Sequence, residues 1–376
     1  MKKFFSIISF LIIAVVMLQF TSCSKESDTI DIGCLAPLSG DGANYGRSTK
    51  EGIDLAVEEI NNAKLLSKSL KIIYEDDKMD PATGVNAIKK LIDINKVPLI
   101  IGPFGSSIVM STAPIANSNK TIIISASATA DAIADAGDYV FRITPPNSKQ
   151  GSDDAIFSIN KLSAKTASII YQINDYGETL KDAFEKKFKE LGGKILGSEG
   201  VQLNTSDLRS VLYKIKSQNP DVIFFPLHYK ESGIMLKQAK EIGIKAFFIS
   251  ADGAMTDDLL KIAGNAAEGS FYSTLALGYG VADEQIKKFD DNFKKKYGQE
   301  PDIYAAYYYE VTRLVAKAIK AVDTDTEKIK EYLYSINGNN SFFGITGNTS
   351  FDKKGEVDKN FYIYQVNQGK YILYTK

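Results

Sequence analysis

With two cysteines and one histidine in 376 residues, this chain has little with which to bind metals or do redox chemistry. No Cys-x-x-Cys or His-Glu-x-x-His pattern occurs, and the single histidine, His228, has no cysteine near it in sequence, so the usual zinc constellations are excluded. An excess of positive charge is also missing. Lys and Arg number 45 against 46 Asp and Glu, and no basic stripe runs along the chain, which argues against a nucleic-acid partner. The charge runs at residues 185–190 and 294–296 lie at helical spacing among apolar residues and read as solvated helix faces. Nucleotide-binding loops fail as well. The glycines at 40, 42 and 46 follow a strand pattern, but a dinucleotide fingerprint needs glycine at position 45, which is Tyr45. A phosphate loop needs four residues between its glycines and then lysine; Gly40 and Gly46 enclose five, and Arg47 follows. The chain is therefore expected to be no enzyme and to need no cofactor or metal.

The first residues are read as a targeting segment. Lys2 and Lys3 precede an apolar stretch from Phe4 to Phe20, then Thr21, Ser22 and Cys23. This order of basic, apolar and small residues is that of a secretory signal. The stretch is short for a spanning helix. Residues 20–23 resemble the lipobox of bacterial lipoproteins, with Phe20 where leucine is usual. The resemblance implies a signal peptide over 1–22, a lipid on Cys23, and a polar tether over 23–29. Cys34 is then left without a disulfide partner and reads as a small buried hydrophobe.

From residue 30 onward, apolar runs alternate with helical patterns. Five strands are expected near residues 30–38, 70–75, 97–102, 121–124 and 139–143, with helices such as that carrying Ile53, Ala56, Val57 and Ile60 between them. Pro145 and Pro146 then enforce a stiff extended path. The alternation restarts, with strands near 167–171, 194–201, 222–227, 246–251 and 269–273. Two further helices follow, marked by Ile286, Phe289 and Phe293 and by Val311, Leu314 and Ala318, and a hairpin closes the chain over 361–374. This pattern predicts an α/β protein of two doubly wound, Rossmann-like lobes.

Three of these strands end in residues suited to a ligand. The run at 97–102 ends in Ser106 and Ser107, that at 121–124 in Ser125, Ser127 and Thr129, and that at 246–250 in Asp252. The carboxyl edge of an open parallel sheet is where such folds bind ligands. Hydroxyls and free N–H groups at helix starts suit a carboxylate, and a lone acid suits an ammonium. Ser106 could equally be a helix cap. Asp252 is not needed as one, because Thr256 is placed to cap the following helix. Together these residues outline a socket for an amino acid.

Several stretches resemble the leucine/isoleucine/valine-binding protein family, the type I solute-binding subunits of branched-chain amino acid ABC importers. They are Ala36-Pro37-Leu38-Ser39-Gly40 with Tyr45-Gly46, Asp76-Asp77 with Asp80-Pro81, Ile101-Gly102 with Ser106-Ser107, and Ser127-Ala128-Thr129-Ala130. Asp175-Tyr176-Gly177, Ala251-Asp252-Gly253, Gly344-Ile345-Thr346-Gly347 with Ser350-Phe351-Asp352, and Phe361-Tyr362-Ile363-Tyr364-Gln365-Val366 continue the match in order. The resemblance implies a hinge of three crossings. One lobe would hold residues 30–146 and 277–340, the other 147–276 and 341–376. It also implies that Ser106 and Thr129 bind the ligand carboxylate, that the carbonyl of Ser127 beside Ala128 meets the ammonium, and that Asp252 is its acidic partner. Tyr45, Phe104, Gly105, Tyr176, His228 and Tyr304 would line the side-chain pocket. The disulfide of the best-known members, joining positions equivalent to Met79 and Gly105, is absent, and His228 stands where an aromatic is common. The implied function is an extracytoplasmic, lipid-anchored monomer that hands a small amino acid, branched-chain or otherwise hydrophobic, to a permease and its ATPase. Alternatives on the same fold are binding of an amide, urea or an aromatic acid, and ligand sensing.

Overall fold

The computed structural model describes residues 28–275 and 283–375. Signal peptide, Cys23 and the crossing expected near Ala276 lie outside the described residues. The first lobe is built on β1 (Thr29–Ala36), β2 (Ser69–Asp76), β3 (Leu99–Ile101), β4 (Ile122–Ser125) and β5 (Val140–Arg142), all parallel in the order β2-β1-β3-β4-β5. Its central strands are continuous apolar triplets, Leu99-Ile100-Ile101 beside Ile122-Ile123-Ile124, and every one of those side chains is fully buried. Helices cover both faces, so no polar alternation is needed. They are α1 (Ala43–Asn62), α2 (Pro81–Lys89, continuing as a wider turn to Ile94) and α3 (Ser106–Ser118). Between β4 and β5 the chain makes only a short 3-10 turn, Asp131–Asp135, where the sequence pattern suggested a helix.

Beyond Pro145 and Pro146, α4 (Asn147–Asn160) opens the second lobe. Its strands are β6 (Thr166–Gln172), β7 (Lys194–Val201), β8 (Val222–Phe224), β9 (Phe247–Ser250) and β10 (Phe271–Leu275), separated by α5 (Asp175–Glu190), α6 (Arg209–Gln218), α7 (Tyr229–Ile242) and α8 (Asp257–Ala263). The apolar run after β8 continues to Leu227, but the strand stops at Phe224 because Pro226 has no N–H to give the ladder. After residues 276–282 come α9 (Asp283–Tyr297), α10 (Ile303–Val322) and α11 (Thr326–Ser335). Helix α10 packs along α1 and so belongs to the first lobe, although it follows the second in sequence. A small hairpin, β11 (Phe342–Gly344) with β12 (Gly347–Thr349), precedes β13 (Phe361–Asn367) and β14 (Lys370–Leu373). These last two join the second sheet antiparallel, giving the order β14-β13-β10-β9-β8-β6-β7.

Where the chain passes between the lobes, charged groups are buried in pairs. Arg142, fully buried at the end of β5, makes a forked contact with Glu356 and donates to the Ala130 carbonyl at 2.9 Å. Lys359 donates to Glu310 of α10 at 3.0 Å, and that carboxylate also accepts from Thr346 N–H at 2.6 Å. Both sheets have a switch point, where the chain leaves one strand for a neighbour on either side. In the first it lies between β1 and β3, in the second between β6 and β8. Ligands of open α/β sheets bind outside the carboxyl ends of the strands at such points.

Candidate functional site

At the first switch point, Gly102 lets the chain leave β3. Its φ is +99°, and a Cβ there would lie 2.2 Å from the Leu35 carbonyl of β1. The chain then turns through Phe104 and Gly105 into α3, whose first residue is Ser106. First-turn N–H groups have no carbonyl within the helix to bind. The Ser106 hydroxyl oxygen accepts from Thr129 N–H and Ala130 N–H, both at 3.1 Å. With its acceptor capacity so used, this hydroxyl has only its proton left to offer. The Thr129 hydroxyl is buried with no partner. Two other hydroxyls hold the loops together. Ser125 donates to the Pro103 carbonyl at 2.7 Å and accepts from Ala128 N–H at 3.1 Å; Ser127 donates to the Phe104 carbonyl at 2.8 Å and lies 2.9 Å from the Tyr308 hydroxyl. This face is neutral and donor-rich.

The second lobe supplies the opposite character. Asn174 caps α5 by accepting from Gly177 N–H at 2.9 Å, which turns its amide nitrogen toward His228 Nε2, 3.2 Å away. Tyr176 stacks on the His228 ring at 5.4 Å between centroids. Its hydroxyl accepts from Gly253 N–H at 2.9 Å and lies 3.4 Å from Asp252 Oδ1. A side chain at Gly253 has no room, since a Cβ would lie 2.5 Å from the Tyr176 oxygen. Burial pushes the Asp252 carboxyl up to about 6, against hydrogen bonds from Gln150, Gly253 N–H and Tyr176 that pull the other way. None of these groups is a cation. His228 does not serve as one, because desolvation holds its imidazole down to about 4 and hence neutral at pH 7. Thr256 caps α8 by accepting from Leu259 N–H, so Asp252 has no capping duty there.

The two faces meet. The Tyr45 hydroxyl donates to the Gly253 carbonyl and accepts from Tyr229 N–H at 3.1 Å. Ser107 donates to the Asp175 carboxylate, Tyr304 donates to the Asp252 carbonyl at 2.9 Å, and Lys230 reaches Asp41. Between the faces lies a cavity of about 300 Å³. Of the residues singled out in the sequence, Phe104, Gly105, Ser106, Ser127, Tyr176, His228, Asp252 and Tyr304 border it. Tyr45, Ala128 and Thr129 do not. Tyr45 is packed face to face against Phe104 at 4.5 Å, and the other two stand in the loop behind Ser106. The wall also includes Met79, Pro81, Ile108, Ile173, Asn174, Gln202 and Leu203, which the sequence reading missed. Ile173 and Gln202 immediately follow β6 and β7, so their place at a carboxyl edge was a usable signal. Among the described residues, no cluster of three His, Cys, Asp or Glu side chains could hold a metal ion, and no helix is long and apolar enough to cross a membrane.

A family model described as periplasmic binding protein matches residues 29–370. The chain is 30% identical to a leucine-, isoleucine-, valine-, threonine- and alanine-binding protein of Pseudomonas aeruginosa, over 96% of this chain and 95% of the relative. A leucine-binding protein from Thermotoga maritima superposes with a TM-score of 0.86 at 28% identity, covering 92% of this chain and 98% of that one. A branched-chain amino acid transporter substrate-binding protein from Streptococcus pneumoniae, solved with isoleucine, gives 0.85 at 29%, covering 91% and 97%. The fold, its two switch points and these matches across the described lobes lead to one assignment: the chain belongs to the leucine/isoleucine/valine-binding protein family of type I periplasmic binding proteins.

Proposed function

We propose that this protein captures a hydrophobic α-amino acid outside the cytoplasm and delivers it to the permease and ATPase of an ABC importer. One observation carries the reading. Asp252 is a buried carboxylate on a cavity wall, no cation among the described residues forms an ion pair with it, and the facing wall offers hydroxyl and helix-start donors. A zwitterion supplies what each wall lacks: its ammonium pairs with Asp252, and its carboxylate takes the donors of Ser106 and the first turn of α3. Ser127 contributes a carbonyl to the ammonium, Thr129 stands behind Ser106 and holds it through its N–H, and Phe104, Gly105, Tyr176, His228 and Tyr304 surround the rest. Binding is coupled to closure of the two lobes on each other, and the protein acts as a monomer held at the membrane by a lipid on Cys23.

The test is a pair of ligands differing only at the ammonium. L-Leucine should raise the unfolding temperature of the purified protein, since ligand at ~100 times its dissociation constant adds roughly 2.7 kcal/mol. 4-Methylpentanoate, which is leucine without its amine, should not. If the acid stabilises as well as the amino acid, the site is an organic-acid site and the pairing with Asp252 is wrong.

A further inference from the structure

The cavity has a closed end and an open one. Ser106, Ser127, Asp252 and Tyr304 sit at the closed end, where all four are buried. At the other end it reaches the seam between the lobes, bordered by Met79 and Pro81 on one side and by Ile173, Gln202 and Leu203 on the other. Pro81 and Gln202 are exposed, and Ile173 is 40% exposed, so this end opens to water. The aromatic side of the cavity offers no alternative space. Tyr45, Phe104 and Tyr304 pack on one another with centroids 4.5 to 5.2 Å apart, and the Tyr45 hydroxyl is already engaged by the second lobe.

A zwitterion held at the closed end must therefore point its side chain toward the seam. An engineered apolar cavity of about 150 Å³ accepts benzene. The cavity here is about 300 Å³. That is room for the charged head and a benzene-sized group beyond it, with no wall closing the end. We propose that the site takes α-amino acids with long or aromatic side chains, phenylalanine and methionine among them. The distal atoms would lie in the seam between Met79 and Pro81 of one lobe and Ile173 and Leu203 of the other. This inference rests on the amino acid reading given above. Met79 suits the task, as an unbranched thioether adapts to differently shaped neighbours.

The experiment is calorimetry on the purified protein with L-alanine, L-valine, L-phenylalanine and L-methionine, repeated on Ile173→Ala and Leu203→Ala after their unfolding curves have been checked. L-Phenylalanine and L-methionine should bind at least as tightly as L-valine. Each variant should lower the ratio of phenylalanine to alanine affinity by about tenfold, the scale set by removing apolar contacts from a side-chain pocket. Binding of alanine and valine without phenylalanine or methionine would overturn the open seam and leave the amino acid reading standing. Equal losses for alanine and phenylalanine in both variants would overturn it too, because those side chains would then act on closure and not on the ligand. Failure of all four amino acids would overturn both readings together.

Discussion

Replacing Asp252 by asparagine should stabilise the ligand-free protein while weakening its binding. The carboxyl is 3% exposed, and burial raises it from an unfolded-state value of 3.8 to about 6. A difference of about two pH units corresponds to roughly 3 kcal/mol between the two protonation states. Because the folded value is the higher one, the cost is absent below pH ~4, where the group is protonated in both states. It grows as pH rises and is fully present above pH ~6. Asparagine keeps an oxygen for the Tyr176 hydroxyl and cannot ionise. Urea unfolding of the ligand-free proteins should therefore give equal stabilities near pH 4 and an advantage of up to about 3 kcal/mol for Asp252→Asn at pH 8. Binding moves the other way. A buried ammonium without its counter-charge loses about 2–5 kcal/mol, or roughly 30-fold to several thousand-fold in affinity. Equal stabilities at pH 8 would refute the reasoning, since they would mean that the carboxylate is solvated when the site is empty.

Amino acid affinity measured by calorimetry should be flat from pH 8 to about 6.5 and then fall about tenfold per pH unit as Asp252 takes up its proton; His228, held down to about 4, adds no step near neutrality. Lys359→Ala should cost about 3–5 kcal/mol in unfolding experiments, because it leaves Glu310 charged and buried without its partner, whereas Lys359→Met with Glu310→Leu should cost much less. A double variant as unstable as the single one would show that packing, not the lost charge partner, sets the cost. Radiolabelled palmitate should enter the wild-type chain and not Cys23→Ser, and equal labelling of both would remove the lipid anchor from the reading.

The parts of the fold legible in the sequence are those that burial on both faces imposes. Leu99-Ile100-Ile101 and Ile122-Ile123-Ile124 are uninterrupted because helices cover both sides of the sheet, and such runs stand out. Helix α11 was not legible: only Ile329 and Leu333 are buried in it, one turn apart among charged residues. The hairpin of β11 and β12 was missed for a similar reason, since three-residue strands with one half-buried and one exposed side chain carry no period. In the site, the sequence displayed the chemical types but not their division of labour. The hydroxyls of Ser125 and Ser127 are occupied in stitching two loops together, while that of Ser106 keeps a free proton; only the hydrogen bonds separate the cases. Of the seam, only the carboxyl-edge position of Ile173 and Gln202 was legible. Met79 lies on the first lobe and Ile173 and Leu203 on the second, and nothing local marks the two sides as neighbours.

On the proposed reading, the buried charge that selects the ligand also bears on when the lobes close. In the arrangement described here, closure without ligand leaves Asp252 desolvated at a cost of roughly 3 kcal/mol above pH ~6. Against it stand a few contacts across the seam. The hydrogen bonds of Tyr45 to Gly253 and of Tyr304 to the Asp252 carbonyl contribute about 0.5–1.5 kcal/mol each. The Lys230–Asp41 pair, with both side chains more than a third exposed, adds about 0–1 kcal/mol. With the hydrogen bonds of Ser107 to Asp175 and of Tyr229 N–H to Tyr45, these contacts favour the closed form, and the buried carboxylate offsets part of what they contribute. A ligand that brings an ammonium to Asp252 removes the opposing contribution and leaves the seam contacts unopposed, so closure follows binding. An organic acid or an amide of the same shape brings no such charge and would leave the balance where it was. On the proposed reading, discrimination against non-amino-acid solutes is thus exerted at the closing step as well as at first contact.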